Sequence, residues 1–140
     1  MKVLIVEVND RLYGFELKKT WRIVSNVKYT PIPFVPKIFK GLAVLMGEVV
    51  TIVCLNSILG LDEFKVEEDL YLLIKGKDSN WGFPINNIYD IVEVAEESIV
   101  KLNDPYTIGD FKIDEDKVVL LIDVDRVEEY LYESVSSFQK

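Results

Sequence analysis

The sequence predicts an all-β fold. It consists of two small antiparallel β-barrels related by an internal repeat, with short connector helices and a C-terminal helix. Three observations carry this reading: the chain repeats itself at an offset of 68 residues, each copy consists mostly of short β-branched runs separated by turn residues, and a proline-rich stretch forbids helix between two of those runs. In the repeat, Leu4, Ile5 and Val6 fall on Leu72, Leu73 and Ile74. Tyr13, Gly14, Phe15 and Leu17 fall on Trp81, Gly82, Phe83 and Ile85, so an aromatic, Gly, Phe, any residue, aliphatic signature occurs twice. Trp21, Ile23 and Val24 meet Tyr89, Ile91 and Val92, and Gly41 meets Gly109. After one inserted residue, Val50 to Leu55 and Ile58 meet Val119 to Val124 and Val127. Matched aromatics and glycines at fixed spacing are much rarer by chance than matched aliphatics. With 140 residues, the chain reads as a single domain, residues 1–140, holding a first repeat of about 1–67 and a second of about 68–140. Units of this size are marginal alone, so the two copies are expected to pack as one folding unit.

Taken in order, Val3 to Val8 is an apolar strand, Asn9 and Asp10 a turn, and the segment around Phe15 its hairpin partner. A short helical turn follows Lys18. Pro31, Pro33 and Pro36 cannot donate to a ladder, so this stretch is an extended edge or connector. A second hairpin runs from Leu42 to Met46, turns at Gly47 and Glu48, and returns along Val49 to Leu55. Asn56 to Leu59 is a helical turn ended by Gly60. The second copy repeats the plan: Tyr71 to Ile74, a turn at Lys77 to Asn80, a strand around Phe83, then Thr107 to Ile113, a turn at Asp114 to Asp116, and Val118 to Ile122. A final helix spans about Asp123 to Tyr132, with Asp123 or Asp125 as N-cap.

The composition removes several kinds of chemistry. The histidine count is zero, which eliminates Ser-His-Asp and Cys-His nucleophile systems and paired-histidine zinc sites. The single cysteine, Cys54, sits in an apolar run and reads as a small buried hydrophobe. The seven glycines are too dispersed for a phosphate-cradling loop. A net charge of −8 repels phosphate backbones and argues against nucleic acid as a partner. That average hides a split: residues 1–61 carry eight basic and four acidic side chains, and residues 62–140 carry eight and twenty. No run approaches the roughly 18 to 20 apolar residues of a membrane span, so direct membrane insertion is not expected and a cytoplasmic location is.

The acidic groups read as solvated faces, turns and caps. Asp62 to Asp69 and Glu96 with Glu97 are charged surface, and Asp114 to Asp116 is a hairpin tip. Asp123 and Asp125 lie at a strand-to-helix junction where an acid caps, and a calcium cage would need six or more oxygen ligands. Neither a metal nor another cofactor is expected, and no catalytic residue is assigned. Tyr13, Phe15, Trp81 and Phe83 read as core, since an aromatic platform for single strands comes with a positive groove. What is left is the apolar connector Pro31 to Phe39, which either lines a groove or plugs the gap between barrels and points to protein contact.

These residues resemble the CheW-like domain of bacterial chemotaxis coupling proteins over essentially the whole chain. The family's I-T-P-V-P segment resembles Tyr29, Thr30, Pro31, Ile32 and Pro33, followed by Pro36. Its G-V-x-N-L-R-G turn resembles Gly41 to Gly47, V-I-P-V-I-D-L resembles Val49 to Leu55, and the leucine-glycine helix end resembles Leu59 and Gly60. In the second half, G-F-x-V-D-x-V resembles Gly82 to Ile88 and L-L-D-V resembles Leu121 to Val124. The resemblance implies two five-stranded SH3-like barrels and a non-enzymatic adaptor. Its implied partners are a chemoreceptor cytoplasmic tip, held in the inter-barrel groove, and the regulatory domain of a chemotaxis histidine kinase, held at barrel ends. It implies protein-binding roles for Pro31, Ile32, Pro33, Pro36, Ile38, Gly41, Leu45, Met46, Gly47 and Glu48. The chain departs from the family pattern at Val44 and Met46, where the family has Asn and Arg, and at Cys54 and Asn86, where it has Asp. A second reading from another class is a small acidic ligand-binding or carboxylate-based enzyme domain using the inter-barrel groove. A polar pocket with two facing carboxylates would distinguish it from the adaptor.

Overall fold

The computed structural model describes residues 1–61 and 70–139, with side chains up to Ser134 in the last helix; the predicted acidic cluster Asp62 to Asp69 lies outside the described residues. The strands are β1 (Lys2–Val8), β2 (Arg11–Glu16), β3 (Thr20–Ser25), β4 (Phe39–Leu45), β5 (Glu48–Val53), β6 (Leu70–Ile74), β7 (Asn80–Ile85), β8 (Asn87–Glu93), β9 (Thr107–Asp114) and β10 (Lys117–Ile122). Two helices, α1 (Leu55–Ile58) and α2 (Val124–Gln139), follow β5 and β10. The short helical turn, predicted after Lys18, is a 3-10 turn at Leu17–Lys19 that begins just before it, and no named strand lies between Ser25 and Phe39, where the prolines sit.

The ten strands form two five-stranded sheets, of order β8-β1-β2-β10-β9 and β3-β6-β7-β5-β4. Translating the first order through the repeat yields the second. The sheets do not coincide with the repeats, however. The first sheet takes hairpin β1–β2 from the first copy and β8, β9 and β10 from the second, and the second sheet is the converse. Each sheet therefore contains one parallel pair, β2 with β10 and β5 with β7, where the antiparallel reading expected none. Parallel neighbours need a long crossover, which the exchange of strands between copies provides.

This exchange explains the apolar runs. In β1, Val3 and Ile5 face a small core of the first sheet with Val119 and Leu121, whereas Leu4 and Val6 face a larger cluster shared by both sheets. In β6, Tyr71 and Leu73 face the second sheet's own core, and Leu72 and Ile74 the shared one. Both strands are buried on both faces, so their sequences run apolar without alternation. Tyr13, Phe15, Trp81 and Phe83 all lie in the shared cluster, as core.

The turns differ in detail from expectation. Asn9 and Asp10, at φ 51° and 65°, form the expected two-residue turn. The β4–β5 turn is Met46 and Gly47, at φ 52° and 78°, and Glu48 already pairs with Leu45; the turn is thus one residue earlier than predicted. Asp123 caps α2 as expected, its carboxylate accepting the Arg126 N–H at 3.3 Å, but the helix runs on to Gln139, well past Tyr132. Asp125 instead receives Lys19 Nζ at 3.0 Å. Cys54 is half-buried rather than buried.

Candidate partner-binding site

The β4–β5 hairpin lies at the edge of the second sheet. Its inward residues, Ala43, Val50 and Ile52, are buried in that sheet's core. Period-two alternation then sends Leu42, Val44 and Val49 outward. Val44 and Val49 are direct cross-strand partners, 73% and 58% exposed, and Leu42 lies two residues along the same face. Met46 is half exposed at the tip. This is a continuous apolar strip facing solvent.

The repeat supplies an internal control. Hairpin β9–β10 has the same register, with Lys112 opposite Val118 as Val44 is opposite Val49. Its outward positions are Asp110, Lys112 and Asp114, where the first copy has Leu42, Val44 and Met46. The same architecture thus tolerates charges there, so the apolar strip is not a requirement of the fold.

The connector joins β4 at an isolated bridge. Thr30 N–H donates to Leu42 O at 2.8 Å and Leu42 N–H to Thr30 O at 2.9 Å. Gly41 allows this approach, because a Cβ there would lie 2.4 Å from Thr30 O. The structure separates the sequence-predicted site residues into two groups. Pro31, Ile32, Pro33 and Pro36 run beside the start of β4, with Pro31 and Pro33 exposed and Ile32 and Pro36 half-buried. Met46, Gly47 and Glu48 are exposed at the other end of the strand, about 20 Å away along it. Ile38, at 6% exposure, is a plug in the shared core, Gly41 is buried under Thr30, and Leu45 is half-buried against the second sheet's core; these three hold the surface rather than form it.

Sequence reasoning placed Phe34 within the apolar connector but not among the site residues, and it missed Leu42, Val44 and Val49 as surface. Phe34 is 88% exposed with φ 59°. The run Leu42 to Leu45 is apolar at every position, which reads as two buried faces; edge placement uncovers one of them.

A cleft of about 520 Å³ opens beside the hairpin tip, lined by Trp21, Glu48, Val49, Lys75, Lys77 and Asp78 among others. Glu48 accepts the Asn80 side-chain amide at 2.6 Å in this wall. The equivalent cleft of the first sheet, about 430 Å³, is lined by Glu7, Asp10, Arg11, Tyr89, Asp116 and Lys117 among others. There Lys117 Nζ donates to the Tyr89 hydroxyl and sits 4.8 Å from the ring centroid, and this hydrogen bond raises the lysine pKa above its usual value. Charge is uneven along the chain: residues 20–86, the stretch from β3 to β7, carry seven basic and seven acidic side chains, whereas residues 1–16 and 87–123, which hold the first sheet, carry five and thirteen.

Between the sheets, Phe15, Phe83, Tyr13, Trp81 and their aliphatic neighbours fill the shared core. Among the described residues, no group of three or more His, Cys, Asp or Glu is placed to hold a metal. Nor is any helix among them long and apolar enough to cross a membrane.

Comparisons with known proteins agree with this architecture. The family model for the CheW-like domain matches residues 2–130. A chemotaxis protein CheW of Thermotoga maritima is 22% identical over 133 residues, covering 90% of this chain and 86% of that protein. A chemotaxis protein CheW of Treponema pallidum is 26% identical over 103 residues, covering 70% of this chain and 61% of that protein. The crystal structure of a CheW scaffolding protein from Thermoanaerobacter tengcongensis superposes with a TM-score of 0.77 at 19% identity, over 87% of this chain and 88% of that one, so the two share a fold. With a family model that matches residues 2–130, nearly its whole length, the chain belongs to the CheW-like domain family.

Proposed function

We propose that this protein is a non-enzymatic coupling adaptor of a chemotaxis signalling system. It bridges a chemoreceptor cytoplasmic tip and the regulatory domain of a histidine kinase, and it acts in the cytoplasm. The observation that carries this reading is the apolar strip Leu42, Val44 and Val49 on one hairpin; on its repeat-related twin Leu42 and Val44 are replaced by the charges of Asp110 and Lys112, and only Val118, the counterpart of Val49, stays apolar. An exposed strip that the fold does not require supports a protein-contact surface. The family's charged turn is Met46 here, so contact at this tip rests on apolar burial rather than on a guanidinium.

The enzyme reading places two facing carboxylates in the inter-barrel space. Aromatic and aliphatic side chains occupy that space instead, which favours the adaptor. Calorimetric titration of the protein with the kinase regulatory domain, then with a receptor-tip fragment, from the same source tests the proposal. Saturable micromolar binding that Val44→Asp weakens at least tenfold, and Lys112→Asp leaves intact, is the expected result. Absence of binding to both partners would overturn it.

A further inference from the structure

Glu128, in the second turn of α2, is 5% exposed and directs its carboxylate into the seam between the helix and the second sheet. One oxygen accepts the Trp81 indole N–H at 3.0 Å, and the other accepts the Lys77 backbone N–H at 3.4 Å. Both donors are neutral, and among the described residues no lysine or arginine forms an ion pair with Glu128. A carboxylate offers about four lone-pair positions, and one withdrawn from water without a counter-cation is expensive.

A half-open cavity of about 80 Å³ adjoins this carboxylate. Its lining includes three aromatic rings, Phe39, Trp81 and Tyr132, and at its outer side the Ser79 and Tyr132 hydroxyls lie 3.5 Å apart. The volume is about half the roughly 150 Å³ of a cavity that accepts benzene, so a ring-sized ligand is excluded and a compact group fits. Packing does not demand this arrangement. Through the repeat, Glu128 corresponds to Leu59 and Trp81 to Tyr13, so the equivalent seam of the first sheet is built without a charge.

We propose that this cavity is a binding site for a small primary ammonium group, carried by a free alkylamine or by the lysine side chain of another chain. The carboxylate neutralises the charge, the aromatic rings favour a cation over a neutral group, and the two hydroxyls accept its N–H donors at the mouth.

The test uses the full chain with Trp21→Phe, which leaves Trp81 as the reporting indole. Titration with methylammonium chloride against matched sodium chloride is expected to change Trp81 emission saturably in the millimolar range. Glu128→Gln, which keeps an acceptor for the indole, should abolish the response, and Tyr132→Ala should weaken it several-fold. A blocked lysine, Nα-acetyl-lysine methylamide, distinguishes the sources: a matching response admits a lysine side chain, and a response to methylammonium alone confines the site to free amines. Should the Gln variant fail to fold, the Trp81 indole proton shift in the unsubstituted protein gives an independent readout. A response that sodium chloride reproduces, that survives Glu128→Gln, or that leaves the indole proton unmoved overturns the proposal.

Discussion

Phe15 and Phe83 occupy equivalent places in the two copies of the repeat and touch each other, with ring centroids 5.3 Å apart and planes inclined by 36°. A residue that contacts its own repeat equivalent lies beside the axis relating the copies. The shared core is therefore centred on this pair, with Trp81 adding a further ring 5.9 Å from Phe83. Phe15→Ala and Phe83→Ala should each lower the unfolding free energy by about 3–5 kcal/mol. In a double-mutant cycle the two losses should fail to add by about 0.5 kcal/mol or more, measured by urea unfolding. Additive losses would place the rings in independent clusters.

Gly41 and Gly109 perform the same task in the two sheets. A Cβ at either would lie 2.4 Å from a backbone oxygen, that of Thr30 or of Val100, where the connector bridges the edge strand. Either glycine to alanine should cost about 1–3 kcal/mol through overpacking. In Gly41→Ala, hydrogen exchange at the Thr30 and Leu42 amides should accelerate, because those two bonds close the bridge. Unchanged protection there would show that the connector is held elsewhere.

Met46 occupies the left-handed region at φ 52°, where a long side chain gains nothing from the turn. Met46→Asn creates the Asn-Gly pair preferred in two-residue hairpins and should stabilise the protein by about 1 kcal/mol. A thermal melt reads this directly, and a lower midpoint would mean that the Met46 side chain contributes packing at the tip.

The link between the Leu17–Lys19 turn and α2 sets an alkaline limit. Burial lowers the Lys19 pKa, but the hydrogen bond to Asp125 and the nearby Glu16 and Asp123 carboxylates outweigh it, leaving the value above the ordinary 10.5. A lysine with a raised folded pKa contributes its full stabilisation below the unfolded value and loses it as pH rises through the folded one. Burial raises the Tyr13 pKa above 10.0, and that contribution also fades at high pH. Stability should be insensitive to pH near neutrality and fall above about pH 10. Lys19→Met should flatten part of that fall, by less than about 1 kcal/mol because the pair is partly exposed. An identical alkaline profile in the variant would remove Lys19 from the account.

Much of the architecture was legible because its signals are local. The Asn9–Asp10 turn, the proline connector, the Asp123 cap and the apolar strands each follow from a few neighbouring residues. The candidate site was legible only in part. Pro31, Pro33, Met46, Gly47 and Glu48 are on the surface, but Ile38 and Gly41 are buried, and the exposed strip at Leu42, Val44 and Val49 reads in sequence like core. Alternation shows which side chains share a face, not whether anything covers that face.

By itself, the sequence determined that the chain builds one architecture twice, where eight of its ten strands run (β3 and β8 were not read as strands), and which side chains are apolar enough to form a core. Tertiary structure alone decided that hairpin β1–β2 joins β8, β9 and β10 while β6–β7 joins β3, β4 and β5, that the two copies meet at Phe15 and Phe83, and that one hairpin face stays open. The physical reason is degeneracy. Each hairpin's pattern is satisfied equally by strands of its own copy or of the other, because the copies match position by position. The choice rests on closing a shared core across both sheets, a long-range term that no local segment encodes.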